Sequence, residues 1–98
     1  MKKDNVYYNK SGQKLDAPLQ LMGMMYELEV NKEKCWFSKL VKLFKDNLTK
    51  SDISKAQDKL YDIGLLDMKY EMVDGRWTCC WKLEPEAKSF IRNVTGQE

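Results

Sequence analysis

The side chains able to do chemistry in this 98-residue chain do not form a catalytic or metal-binding pattern. Its three cysteines, Cys35, Cys79 and Cys80, are not spaced as a pair of metal ligands. The sequence has no histidine to complete a zinc site or to act as a general base. No glycine-rich phosphate loop is present, and the carboxylates are scattered over positions that we expect to face solvent. The sequence therefore predicts no enzyme, no metal and no cofactor.

A block of lysines is the second feature with chemical potential. Residues 31–50 carry six lysines against two acidic residues, a charge of +4, whereas the whole chain carries +2. Such a block is typical either of a footprint for nucleic acid or of a solvated lysine face. The lysines concerned are Lys32, Lys34, Lys39, Lys42, Lys45 and Lys50.

The length of the chain and its number of cysteines indicate how many domains it has and in which compartment it lies. Its length suffices for one domain with a single core, so we expect an N-terminal arm over 1–15, with a short strand near Tyr7, and one domain over 16–98. An odd number of cysteines without a leader sequence indicates a reducing compartment, so we expect the cytoplasm. No apolar run reaches the length of a membrane span.

The pair Asp74-Gly75 predicts a tight β-hairpin, because both residues tolerate the positive φ angles of a type I′ turn. Folding 66–73 back onto 76–83 around this turn places the apolar side chains on one face. A hairpin with one apolar face is not stable alone, so we expect helices to cover it, with Cys79 buried and Cys80 half-exposed. The predicted apolar face consists of Leu66, Met68, Tyr70, Met72, Trp77, Cys79, Trp81 and Leu83.

Capping residues predict four helices, and apolar residues at helical spacing support each of them. The segment 34–37 is short, aromatic and β-prone, and we expect it to add a third strand to the hairpin sheet. The predicted caps are Asp16 for a helix over roughly 17–30, Ser38 for a second helix, Thr49 with Asp52 for a third helix that Gly64 closes, and Glu84-Pro85 for the last.

This order of elements resembles the winged helix-turn-helix domain of MarR-like and ArsR-like transcription regulators. The resemblance is carried by 37–41, by 48–56 and by the ending Leu60, Gly64, Leu65 and Leu66 before the hairpin. It implies an α+β fold, with a three-helix core, a β-hairpin wing over 66–83 and a C-terminal helix. It also implies sequence-specific binding of double-stranded DNA, with a recognition helix at about 50–63 in the major groove and the wing on the flanking backbone.

Carried over by position, the resemblance predicts DNA contacts. Arg76 at the hairpin turn could reach DNA, or it could pair with Glu71 as an ordinary surface arginine. One objection is that three aspartates balance the three lysines of 50–62. A neutral recognition helix is equally compatible with a protein-interaction module that does not bind DNA, and this alternative predicts a solvent-exposed Trp77. The predicted DNA contacts are Lys39, Lys42, Thr49, Lys50, Ser51, Ser54, Lys55, Lys59 and Arg76.

The regulator hypothesis also predicts a symmetric homodimer, because one recognition helix covers only a few base pairs and paired half-sites are usual. We expect neither a membrane nor a metal among the partners. The apolar residues predicted for the dimer interface are Tyr7, Tyr8, Leu21, Met25, Phe90, Ile91 and Val94.

Overall fold

The structure, a computed structural model, describes residues 2–3, 5–45 and 47–96, and this part of the chain has an α+β fold. The β1–β2 and β3–β4 pairs form two separate antiparallel sheets. Four helices with a two-stranded hairpin are compatible with a winged-helix-like arrangement. In chain order the elements are β1 Lys2–Lys3, β2 Val6–Tyr7, α1 Ala17–Val30, α2 Phe37–Phe44, α3 Lys50–Asp62, β3 Leu66–Val73, β4 Arg76–Leu83 and α4 Pro85–Thr95.

The β3–β4 hairpin has the predicted register over its whole length. Each predicted pair is observed, from Leu66 with Leu83 at the base to the last pair before the turn. Asp74 and Gly75 have φ angles of +49° and +80°, as a type I′ turn requires. The prediction succeeds because turn type and side-chain alternation are both local properties.

Three of the four predicted helix starts are confirmed. Asp16 caps α1, Thr49 and Asp52 form a capping box at α3, and Pro85 is the first residue of α4. Gly64, with a φ angle of +79°, follows the end of α3. In this conformation a residue with a Cβ atom would be strained, so glycine suits the helix end.

The predicted start of α2 is wrong. Trp36 occupies the N-cap position, and Ser38 lies inside the first turn without capping the helix. The reason is tertiary, because the backbone of Trp36 forms an isolated bridge with Cys80, and the Cys35 carbonyl accepts a hydrogen bond from the Trp81 amide at 2.8 Å. The extended segment before α2 therefore joins β4 through a single bridge instead of forming a third strand.

Helix α1 is central and packs against α3, α4, β2 and β4. Residues on several sides of α1 are buried. The other helices contribute narrower stripes, such as Ile53, Ala56 and Leu60 from α3. The buried residues of α1 are Gln20, Leu21, Met22, Gly23, Met24, Met25 and Leu28.

The segment before α1 is anchored in the core by Tyr7. The Tyr7 amide donates to Gln20 Oε1 at 2.7 Å, and Gln20 Nε2 donates to the carbonyls of Tyr7 at 2.7 Å and Leu15 at 3.0 Å. The Tyr7 ring lies directly over Gly23, where a Cβ atom would be only 2.8 Å from the ring. Residues 5–15 are therefore part of the folded body.

Four of the seven residues predicted for a dimer interface lie in the chain's own core, so that prediction is wrong for them. Because their apolar surface is already buried within the chain, a second copy cannot contact it. The other three, Tyr8, Phe90 and Val94, are at least partly exposed. The four core residues, each with 0% of its surface exposed, are Tyr7, Leu21, Met25 and Ile91.

Candidate nucleic-acid interface

Two contacts define how α3 lies beside β3. The Leu65 amide donates to the Leu60 carbonyl at 2.9 Å, and further along the strand Gln57 Nε2 donates to Met68 Sδ at 3.2 Å. After the end of α3 the chain therefore turns back, and β3 lies beside the helix at the Gln57–Met68 contact. The N-terminal end of α3 and the turn of the hairpin accordingly point towards the same end of the molecule.

Helix α3 turns one face to the core and the opposite face to solvent. Ile53 and Leu60 are buried, and α3 packs on α1. At about 100° per residue, Ser51 and Lys55 lie on the side opposite this stripe. The predicted contact residues in and just before α3 are all exposed, namely Thr49, Lys50, Ser51, Ser54, Lys55 and Lys59.

The capping box engages Asp52. Asp52 Oδ2 accepts from the Thr49 amide at 3.0 Å, and Thr49 Oγ1 accepts from the Asp52 amide at 3.0 Å. The hydrogen bond from the Thr49 backbone holds the pKa of the Asp52 carboxyl below its usual value. By helix geometry the amides of Lys50 and Ser51 have no intrahelical acceptor, so an anion could approach them.

The N-terminal half of α3 is net positive and its C-terminal half is net negative. This distribution weakens the objection that a helix without net charge is unsuited to DNA. In residues 50–55, two lysines and Asp52 sum to +1, whereas in 56–62 one lysine and two aspartates sum to −1. Asp58 and Asp62 lie about 10 Å or more along the axis from Ser51. The acidic end is therefore set back from the end that points outward with the hairpin turn.

The two lysines predicted on α2 have different surroundings. The Lys39 ammonium lies 3.2 Å from Glu33 Oε1, 2.8 Å from the Lys34 carbonyl and 4.9 Å from the centre of the Trp36 ring. Lys42 is exposed on the same helix. Because its ammonium is already engaged, we do not expect Lys39 to contact DNA.

Arg76 is exposed beside the hairpin turn. The alternative that it pairs with Glu71 does not match the structure, in which Glu71 lies 3.4 Å from the Lys82 ammonium and 3.8 Å from that of Lys34. These two lysines, not Arg76, are therefore the ion-pair partners of Glu71.

The outer half of the hairpin departs from the sequence prediction, because helices cover the apolar face only near its base. Leu66, Trp81 and Leu83 are buried, but three large side chains nearer the turn remain exposed. The exposure of these side chains could have been predicted from their position near the turn, where a covering helix is least able to reach. The three side chains are Tyr70 with 69% of its surface exposed, Met72 with 46% and Trp77 with 70%.

The two adjacent cysteines have exchanged their predicted environments. Cys80 is buried and Cys79 is partly exposed. The cause is the bridge between Trp36 and Cys80, through which the segment before α2 covers the face that we expected to be half-open.

A cleft of about 350 Å³ lies on the Glu71 face of the hairpin. Its charged groups pair with one another, since Glu71 lies between Lys34 and Lys82, and Glu29 Oε2 lies 2.8 Å from the Lys88 ammonium. Because all three glutamates of the cleft are already paired with lysines, the cleft does not support a functional site. Its lining consists of Glu29, Lys32, Glu33, Lys34, Cys35, Glu71, Cys80, Trp81, Lys82 and Lys88.

Within the described ranges, no three histidine, cysteine or acidic side chains come together as a group that could hold a metal ion. The helices found there are also too short or too polar to cross a bilayer. Comparisons with known protein families, with curated proteins and with solved structures gave no match to this chain.

Proposed function

We propose that this chain is a winged helix-turn-helix domain that binds double-stranded DNA in a sequence-specific manner as a transcription regulator. The N-terminal half of α3 would enter the major groove, and the β3–β4 hairpin would act as the wing on the flanking backbone. The proposed contacts are Lys42, Thr49, Lys50, Ser51, Ser54, Lys55, Lys59 and Arg76.

The observation that carries this proposal is the common direction of the start of α3 and the turn of the hairpin. Both ends are exposed, and both present cations, Lys50 and Lys55 on the helix and Arg76 at the turn. This is the pair of projections that a groove and its flanking phosphates require.

The chemistry of the proposed contacts divides between charge and hydrogen bonding. Lysine and arginine neutralise phosphates and release counterions, so each phosphate contact adds about 0.9 to the log-log salt slope of binding. The hydroxyls of Ser51 and Ser54 can donate to phosphate oxygens or base edges. Apolar Ile53 and Leu60 hold the helix on the body.

The test is a binding titration with the double variant Lys55→Glu and Arg76→Glu against a random-sequence duplex at two salt concentrations. We expect the variant to bind at least tenfold more weakly than the natural chain and to lose about two units of salt slope. The far-UV circular dichroism should be unchanged, because both side chains are exposed.

The matched control is the double variant Lys14→Glu and Arg92→Glu, which changes the net charge equally at two exposed residues outside the proposed interface. It should lose much less affinity. Equal losses in both variants would mean that binding follows overall charge and that the proposed surface is wrong.

A protein-interaction module that does not bind DNA is the second candidate. The exposure of Trp77 favours it, since a large exposed aromatic side chain often marks a protein contact. This candidate predicts that Lys55→Glu with Arg76→Glu loses no more DNA affinity than the control Lys14→Glu with Arg92→Glu, so the same titration separates the two functions.

We further propose that the regulator acts as a homodimer, because paired half-sites compensate for the short reach of one recognition helix. The part of the predicted interface that remains available to a second copy is formed by Tyr8, Phe90 and Val94.

A further inference from the structure

Three exposed side chains form a continuous apolar surface at the outer half of the hairpin, and we call it the aromatic tip. It consists of Tyr70, Met72 and Trp77. Met72 is the cross-strand partner of Trp77, and Tyr70 lies two residues before Met72 on the same strand. Because alternate residues of a strand share a face, all three project from one side of the ribbon.

The aromatic tip alone is smaller than one side of a stable protein interface. An aromatic side chain buries 150–250 Å² when fully covered, so the exposed parts of the two rings sum to roughly 300 Å². A stable protein interface needs about 800 Å² from each partner. The available area instead matches one or two planar groups lying flat on the rings.

The charges around the aromatic tip complement an anionic ligand. Arg76 precedes Trp77 directly in the chain. On α3, Lys50 lies seven residues and Ser54 three residues before Gln57. At this spacing they share a side of the helix with Gln57, the side that faces β3 at the Gln57–Met68 contact. The axial distance from Gln57 back to Lys50 is about 10 Å.

The distances along the two elements are similar. Four residues of strand separate Met68 from Met72, about 13 Å, and the axial distance from Gln57 back to Lys50 is about 10 Å. Of the three hairpin carboxylates, Asp67 and Glu71 belong to the opposite face of the ribbon, where Glu71 is paired with Lys82, and Asp74 lies at the turn itself. On the face that the aromatic tip occupies, the neighbouring cation is therefore Lys50, whereas Arg76 lies beside the turn on the opposite face of the ribbon.

We propose that the aromatic tip stacks on nucleobases that have left the duplex stack, so that the protein prefers DNA containing locally unpaired bases. The inference rests on the proposed function, since the start of α3 and Arg76 would hold the backbone on either side of the unpaired bases. Stacking on a ring requires no particular base, because every base has a π-face. The contact would therefore add affinity for an opened site and little preference for its sequence.

The experiment compares two labelled DNA molecules of equal length, a perfect duplex and the same duplex with four central mismatches. We expect the natural chain to bind the mismatched DNA more tightly. Trp77→Ala and, independently, Tyr70→Ala should each weaken binding to the mismatched DNA by about tenfold, with little change for the perfect duplex. Trp77→Phe keeps a ring and should retain most of the preference.

The matched control is Tyr61→Ala, which removes an exposed ring from the C-terminal end of α3, outside the aromatic tip. It should bind both DNA molecules as the natural chain does. The mismatched DNA should also quench the intrinsic fluorescence of the natural chain, and this quenching should be much reduced in Trp77→Phe.

The remaining outcomes separate this inference from the proposed function. If Lys55→Glu with Arg76→Glu abolishes binding to both DNA molecules while Trp77→Ala and Tyr70→Ala change neither, the stacking inference is wrong and the proposed function stands. If the protein binds neither DNA molecule above the nonspecific level, the stacking inference and the proposed function are both wrong. If Trp77→Ala alters the oligomeric state without a selective loss on mismatched DNA, the aromatic tip is a protein contact and the inference is overturned.

Discussion

Tyr7 shows how a single residue links the N-terminal segment to the core. Its hydroxyl donates to Glu27 Oε2 at 2.6 Å and lies 3.6 Å from Met24 Sδ, and its ring is fully buried. Burial, together with the hydrogen bond and the negative charge of Glu27, raises the pKa of the Tyr7 hydroxyl above its ordinary value. The folded state therefore holds the Tyr7 proton at pH values where the unfolded state releases it.

The sign of the pH dependence follows from this difference. Below about pH 10 the tyrosine is neutral in both states, and its contribution to stability is fully present. Above about pH 10 the unfolded state loses the proton, so the free energy of unfolding falls by up to about 1.4 kcal/mol per pH unit. Tyr7→Phe should remove this part of the decline, which urea unfolding at pH 8 and pH 11 would measure.

The control for Tyr7→Phe is Tyr70→Phe, because the Tyr70 ring is exposed. That variant should decline with pH as the natural chain does. At neutral pH, Tyr7→Phe should be less stable by about 1 kcal/mol, since it lacks the hydrogen bond to Glu27. An unchanged alkaline decline in Tyr7→Phe would contradict the role assigned to this residue.

At the scale of elements, the packing of β2 on α1 depends on the absence of a side chain at Gly23. In an exposed helix interior, replacing glycine by alanine would stabilise the protein by about 1 kcal/mol. Here the new Cβ would lie 2.8 Å from two atoms of the Tyr7 ring, which is itself fully buried. We expect Gly23→Ala to lower the free energy of unfolding by about 1–3 kcal/mol, as overpacking does.

Thermal and urea unfolding would measure the effect of Gly23→Ala. Ser89→Ala, at an exposed residue within α4, is the matched control and should leave stability equal or slightly higher. In a Tyr7→Ala background the cost of Gly23→Ala should largely disappear, because the ring that it meets is gone. A cost that persists in this background would show that the clash is not its cause.

At the scale of the whole molecule, the exposed apolar residues of α4 are the surface through which we propose that two copies associate. Phe90 has 50% of its surface exposed, and Val94 lies one turn further along the same helix. We expect sedimentation at tens of micromolar to show a dimer for the natural chain and a monomer for Phe90→Asp. A charged side chain at this position would have to be desolvated in the interface.

Ile63→Asp is the control for the dimer experiment, because Ile63 is also an exposed apolar residue but lies at the end of α3. It should leave the dimer intact. A natural chain that is monomeric at these concentrations would remove the homodimer proposal, and the DNA-binding proposal would then have to rest on a single half-site.

Much of the secondary structure could be predicted from the sequence because its determinants are local. The turn residues Asp74 and Gly75 decided the register of eight cross-strand pairs. Thr49 with Asp52, and Pro85, marked where α3 and α4 begin. The exposure of Ser51, Ser54 and Lys55 likewise followed from helix periodicity once the buried stripe of α3 was identified.

The tertiary structure alone decided which apolar side chains are covered, and by what. The sequence indicated that Tyr7, Leu21, Met25 and Ile91 require burial, but not that this chain would itself provide it. The apolar face of the hairpin could be read residue by residue, yet the helices end short of Trp77. An apolar pattern defines the face that avoids water, whereas the extent of its covering depends on the lengths and crossing positions of elements distant in the chain.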